Sequence, residues 1–190
     1  MKKLIAILLV LPILFLVVCE NKKQENKQAQ NVQQQAAQVQ AQAGDTSATK
    51  APDFEVYDIT GKKIRLSDYK GNVIFLDFWA TWCGWCKIEI PFFLDMYKKY
   101  KNQGLVIIGI ATSDRDDRVS AFVNAYKMNY PVAMAKDEIV SAYGGIRGLP
   151  TTFIIDKNGN IARQYVGYRP REVFEKDFND LNGNTQNSKM

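Results

Sequence analysis

Between residues 51 and 181 the apolar positions of the chain follow two patterns. Short, almost unbroken apolar runs occupy 73–79 (VIFLDFW) and 105–111 (LVIIGIA). Their length favours strands covered on both faces over buried helices. Helical spacing covers 84–101, 116–127 and 169–181, with a single helical turn at 137–143. Pro91 lies inside the first of these and is expected to kink it, because it removes a backbone hydrogen bond. Shorter β-rich stretches complete the series. Residues 54–59 and 64–66 flank the turn Thr60-Gly61-Lys62-Lys63, 131–134 is a brief strand, and 152–156 and 161–166 flank Lys157-Asn158-Gly159-Asn160. Asn-Gly between two β-rich runs is a strong hairpin signal. The series predicts an α/β domain: a mixed central sheet flanked by helices, with an added N-terminal β-hairpin.

The ends of the chain do not share this pattern. Lys2 and Lys3 precede an apolar run from Leu4 to Val18 in which Pro12 is the only interruption. The run is shorter than the roughly 20 residues of a membrane-spanning helix, and residues 1–18 have the layout of an export signal peptide. Residues 19–50 read as a linker. They are rich in Gln, Ala, Asn and Lys and lack any aromatic residue, so they cannot bury enough surface to offset the entropy of ordering. Residues 182–190 are expected to fray. The folded domain is placed at 51–181.

Composition narrows the chemistry. The 190 residues contain no histidine, which excludes Ser-His-Asp and Cys-His catalysis and removes the commonest metal ligand. Three cysteines cannot make a four-cysteine zinc site, and neither a metal nor another bound cofactor is expected. The formal charge of +5 includes Lys2 and Lys3, and so mild a balance does not indicate nucleic acid.

Two of the cysteines stand at the one sharp strand-to-helix junction, Trp82-Cys83-Gly84-Trp85-Cys86. The C-x-x-C spacing lets the sulfurs meet without backbone rearrangement, and a helix N-terminus favours a thiolate. This pattern points to a reversible dithiol–disulfide pair. A purely structural bond is the alternative, but closing a four-residue ring constrains the chain little, and Trp82 and Trp85 read as an exposed contact surface. Asp77 interrupts the run 73–79 and shares a face with Val73, Phe75 and Trp79, so burial should raise its pKa. The alternative places Asp77 at a solvent-facing edge. Glu89 follows Cys86 by three residues and lies on the same helix face, with an ordinary solvated helix charge as the alternative.

The segment FLDFWATWCGWCK at 75–87 resembles the active-site stretch of thioredoxins. Three further stretches are similar to the membrane-tethered TlpA/ResA branch of that superfamily. They are Ala51-Pro52-Asp53-Phe54 with Leu66-Ser67-Asp68-Tyr69-Lys70-Gly71, Glu89-Ile90-Pro91, and Gly148-Leu149-Pro150-Thr151-Thr152-Phe153-Ile154-Ile155-Asp156. The resemblance spans roughly 51–181 and implies a thioredoxin fold and thiol–disulfide oxidoreductase activity. Cys83 is then the nucleophile, and Cys86 resolves the mixed disulfide. Asp77, six residues before Cys83, matches the buried proton-transfer acid of thioredoxins. Glu89 matches the glutamate that assists proton movement at the second cysteine in this branch. Pro150 matches the cis-proline that faces the active site, and Trp82, Trp85 and Leu149 would rim the substrate groove. Trp85 replaces the proline common in thioredoxins, which leaves the preferred direction of electron flow unassigned. Peroxiredoxins carry Pro and Thr at set distances before their reactive cysteine, and Leu76 and Ala80 fill those places here.

Leu16-Val17-Val18-Cys19 resembles a bacterial lipoprotein signal in which Cys19 becomes the lipidated first residue, although Val18 stands where a small residue is usual. An uncleaved signal anchor is the alternative. Either one places the C-x-x-C domain outside the cytoplasmic membrane and tethered to a membrane. The resemblance implies disulfide-containing exported proteins as substrates, apocytochrome c among them, and a membrane thiol carrier as electron donor. A monomer is expected. A dithiol oxidase or isomerase, and a non-enzymatic surface lipoprotein reusing the fold, are the competing readings.

Overall fold

A computed structural model describes residues 49–183. Residues 1–18, read above as an export signal, Cys19, residues 20–48 of the expected linker and residues 184–190 lie outside the described residues. The hairpin consists of β1 (Glu55–Tyr57) and β2 (Lys63–Arg65). The main sheet holds β3 (Val73–Trp79), β4 (Leu105–Ala111), β5 (Val132–Met134), β6 (Thr151–Ile155) and β7 (Ile161–Val166). Helices α1 (Gly84–Tyr100), α2 (Asp116–Tyr126), α3 (Asp137–Ala142) and α4 (Arg171–Asn182) complete the domain. The strand order is β5-β4-β3-β6-β7. β3 runs parallel to β4 and antiparallel to β6, so the sheet is mixed, as its alternation with helices predicts.

β3 is buried at every position because it is the central strand and both of its faces are covered. On one face Phe75 and Trp79 pack with Cys86, Ile90, Phe93 and Met96 of α1 and Phe174 and Phe178 of α4. Phe75, Phe93 and Phe174 meet edge-on or tilted at 4.9–6.0 Å and lock both helices to the strand. On the other face Ile74, Leu76 and Phe78 join Ile108, Ile110 and Phe153 beneath Val56 and Ile64 of the hairpin and Ile139 of α3. The hairpin also continues toward β5, where the Ile59 amide donates to the Val132 carbonyl at 2.9 Å. It thereby covers an otherwise open sheet edge.

α1 contains Pro91, as its spacing predicts. Two details differ from the sequence pattern. α2 stops at Tyr126, because Lys127 adopts a left-handed conformation (φ 51°) as its cap. α4 begins at Arg171 rather than 169, with Pro170 as its N-cap in an extended conformation (φ −67°, ψ 154°). A residue before proline is held out of the helical region, which keeps Arg169 outside the helix. At the start of the domain, Thr49 and Lys50 already pair with the β6–β7 turn. The Ile161 amide donates to the Thr49 carbonyl at 2.8 Å, and Lys50 bridges to Asn160.

Candidate active site

The strand-to-helix junction after β3 carries the two cysteines, and they are joined in a disulfide. Cys83 is the N-cap of α1, and its Sγ accepts a hydrogen bond from the Cys86 amide at 3.1 Å. A thiolate at Cys83 would keep that donor and gain the positive end of the helix, both of which stabilise its negative charge. Cys86 is the more deeply buried of the pair, at 1% exposed against 5%. An incoming disulfide therefore meets Cys83 first.

Cys83 opens into a groove of about 430 Å³ lined by Trp82, Trp85, Thr112, Arg147 and Leu149 among others. Trp82 and Trp85 are 57% and 59% exposed, so the chain places two large apolar surfaces in solvent on either side of the reactive sulfur. The Leu149–Pro150 peptide is cis and lies at the start of β6. The loop after β4 braces the junction. Asp114 Oδ2 accepts from the Thr81 amide at 2.6 Å, and the Trp82 indole donates to the Ser113 carbonyl at 2.9 Å. Ser113 pays for this grip with a left-handed backbone (φ 53°). On the other side Trp85 stacks on Tyr168 with ring centres 5.4 Å apart.

Two acids are buried close to one another, one on β3 and one on α1. Asp77 and Glu89 are each 1% exposed. The register of β3 against β6 sets Thr152 directly opposite Asp77. Thr152 Oγ1 lies 3.3 Å from Asp77 Oδ1 and 3.5 Å from Glu89 Oε1. Glu89 Oε2 accepts from the Arg169 amide at 3.1 Å. Burial pushes the Asp77 carboxyl well above the usual carboxylate range, and the nearby Glu89 charge adds to the rise. Burial also pushes Glu89 up to about 7, against the opposing hydrogen bonds from Arg169 and Thr152. Two buried carboxyls with raised pKa values, one of them three residues after Cys86 on α1, are suited to accept and return thiol protons. The structure also keeps β4 close to this site. Gly109 is paired with Asp77, and a Cβ there would approach the Trp79 indole nitrogen to 3.0 Å.

The structure brings Cys83, Trp82, Trp85 and Leu149 to one groove, joins the buried Cys86 to Cys83, and sets Asp77 and Glu89 together at Thr152. Cys19 lies outside the described residues. Sequence reasoning missed Thr152, Asp114, Tyr168 and the Arg169 amide. Pro170 was the one available signal, since the residue before it cannot spend its amide in a helix. Nothing in a linear pattern marks Thr152, which reads as an ordinary strand residue.

Residues 47–164 match the AhpC/TSA family. The chain is 42% identical over 126 residues to the thiol-disulfide oxidoreductase ResA of Bacillus thuringiensis (strain Al Hakam), covering 66% of this chain and 73% of that one. It is 37% identical over 123 residues to ResA of Bacillus subtilis (strain 168), covering 64% and 68%. A thiol:disulfide interchange protein of the thioredoxin family from Chlorobium tepidum TLS superposes with a TM-score of 0.70 at 32% identity, over 74% of this chain and 100% of that one. These likenesses cover the part of the chain that holds the Cys83–Cys86 disulfide and the elements around it. The chain belongs to the AhpC/TSA family, has the thioredoxin fold and is a protein thiol–disulfide oxidoreductase similar to ResA.

Proposed function

We propose that this protein works outside the cytoplasmic membrane as a reductase of disulfides in exported proteins, with the heme-binding disulfide of apocytochrome c as one candidate substrate. The observation that carries this is the setting of Cys83 in a groove that two exposed tryptophans also line, with the buried Glu89 three residues after its partner on α1. The Cys83 thiolate attacks one substrate sulfur, and the other leaves as a thiol. Cys86 then gives up its proton and attacks Cys83 Sγ, which restores the Cys83–Cys86 disulfide and releases the second substrate thiol. Asp77 takes the Cys86 proton, and Glu89 tunes or shares that role. Pro150 and Leu149 align the substrate, and Trp82 and Trp85 grip it. No bound cofactor enters this cycle. A membrane thiol carrier resets the dithiol, and the protein acts as a monomer. Peroxidase chemistry is not part of the proposal, because Leu76 and Ala80 fill the positions that would support it.

The export segment and Cys19 support tethering to a membrane by a lipid or an uncleaved anchor. A full-length Cys86→Ser variant should accumulate mixed disulfides through Cys83 with exported proteins, and the reduced wild-type protein should reduce insulin and apocytochrome c. A wild-type protein inert toward both would overturn the reading. A reduction potential near thioredoxin's, about −270 mV, supports a reductase, whereas one near about −120 mV would assign an oxidase. Cys19→Ala that leaves the protein in the membrane fraction would favour the uncleaved anchor.

A further inference from the structure

Thr152 offers one hydroxyl to two carboxyls, 3.3 Å from Asp77 and 3.5 Å from Glu89. Both distances exceed the usual O–H···O separation of about 2.7–2.8 Å, so the hydroxyl stands between the acids and is committed to neither. A hydroxyl has one donor and two acceptor sites. If both acids were ionised, one would face an oxygen lone pair with no proton between them. If one is protonated, it donates to Thr152 Oγ1 while the hydroxyl donates to the other. The singly protonated pair is therefore the state in which every group is satisfied.

We propose that Thr152 is a positioning residue that couples Asp77 and Glu89 into one acid pair holding a single shared proton, and that this proton moves between them through its hydroxyl. The inference rests on the thiol-reductase reading for its use but not for its existence. In the transfer the Asp77 O–H bond breaks as a new bond forms to Thr152 Oγ1, while the hydroxyl's own proton passes to Glu89 Oε1. The pair keeps a net charge of −1, no electrons move, and Thr152 ends as a hydroxyl again. When the shared proton sits on Glu89, Asp77 is ionised and can take the proton of Cys86; the pair is then doubly protonated and neutral, and it returns to its single proton by losing one to solvent.

Arg169 and Tyr130 are neighbours whose charges act on the pair, Arg169 lowering the pKa of Glu89. On α1, Cys86 precedes Glu89 by three residues and so shares its helix face. From the segment before α4, Arg169 gives its amide to Glu89, while its guanidinium is held by the Gly167 and Tyr168 carbonyls. The buried Tyr130 hydroxyl, ahead of β5, and the Trp79 indole nitrogen on β3 have no hydrogen-bond partner among the described residues. Tyr130 is itself pushed well up, by burial first and by the two acids second. On β7 the Tyr165 hydroxyl is committed to Asp177 of α4 at 2.7 Å, and Arg163 lies 4.0 Å from that same carboxylate.

The test is a ¹³C NMR titration of the Asp77 and Glu89 carboxyl carbons in the full-length oxidised protein, where no thiol at this site titrates. In the wild type each carbon should report both steps, separated by more than about 1 pH unit. Thr152→Val keeps the β-branched shape and removes the hydroxyl, so the steps should draw together and each carbon should report mainly its own. Thr152→Ser should restore the shared behaviour. Independent single-step curves in the wild type would overturn the proposal without any variant, as would a Thr152→Val titration that superimposes on the wild type. In the reduced protein, resolution by Cys86 should slow about ten-fold in Thr152→Val at pH 7 and recover in Thr152→Ser. A wild type that fails to reduce insulin while showing the shared titration would overturn the reductase reading and leave the acid pair standing.

Discussion

The two faces of β3 are made from one seven-residue strand and do different work. The face of Ile74, Leu76 and Phe78 lies in a hydrophobic cluster, and Phe78 packs against Tyr143 and Phe153 at 5.7 and 5.9 Å. The face of Phe75, Asp77 and Trp79 is as deeply buried but holds two carboxyls, a shared hydroxyl and two polar atoms without partners among the described residues. Burying such groups is unfavourable unless they are paired. The first face is arranged for stability. The second retains unfavourable burial where thiol protons must be handled. Burial alone does not separate core from active site in this domain. The chemistry of what is buried does.

The largest contrast should come from the reactive sulfur. Cys83→Ser is expected to abolish disulfide reduction in an insulin assay while leaving the fold intact by circular dichroism. Phe78→Ala, on the other face, should lower stability by about 3–5 kcal/mol in urea unfolding. At a temperature where the variant is still folded it should keep its turnover. If Phe78→Ala were inactive while folded, the division between the faces would break down. Asp77→Asn should slow resolution by Cys86 about 10²-fold at pH 7 in stopped-flow measurements, with unfolding stability equal to or above that of the wild type. Glu89→Gln should slow the same step by less, about three- to ten-fold. Unchanged kinetics in both acid variants would end the assignment of proton transfer to this face.

Glu89 also makes a stability prediction with a definite sign. Its folded pKa of about 7 lies above the ordinary 4.5, so between these values the folded state binds more protons than the unfolded one. Stability conferred by the protonated form is present below pH 4.5 and declines as pH rises through about 7. Glu89→Gln should flatten that decline and raise stability at pH 8 by on the order of 1–3 kcal/mol. No such shift is expected from Phe78→Ala, whose effect should be independent of pH.

β3 and β4 were legible residue for residue, because strands covered on both faces leave continuous apolar runs. The cysteine pair was legible because its chemistry is local and needs only a strand, a turn and the start of a helix. Asp77 was legible as a polar residue breaking an apolar run. Glu89 was harder, since a glutamate on a helix is usually solvated, and only the packing of α1 against β3 and β6 buries this one. The start of α4 was misplaced by two residues although Pro170 marked it. That short offset leaves the Arg169 amide outside the helix and available to Glu89.

By itself, the sequence determined the order of strands and helices, the dithiol at the head of α1 and the identity of the two acids. Apolar periodicity and residue spacing encode those features over a few positions. Only the tertiary structure decided that the acids share a hydroxyl, that Asp114 and Ser113 hold the turn before Cys83, and that Trp85 rests on Tyr168. Thr152 meets Asp77 across 75 positions of sequence through the antiparallel register of β3 and β6. Contacts of that kind depend on which strands pair and in what register. That choice is made by the packing of the whole sheet rather than by any local run of residues.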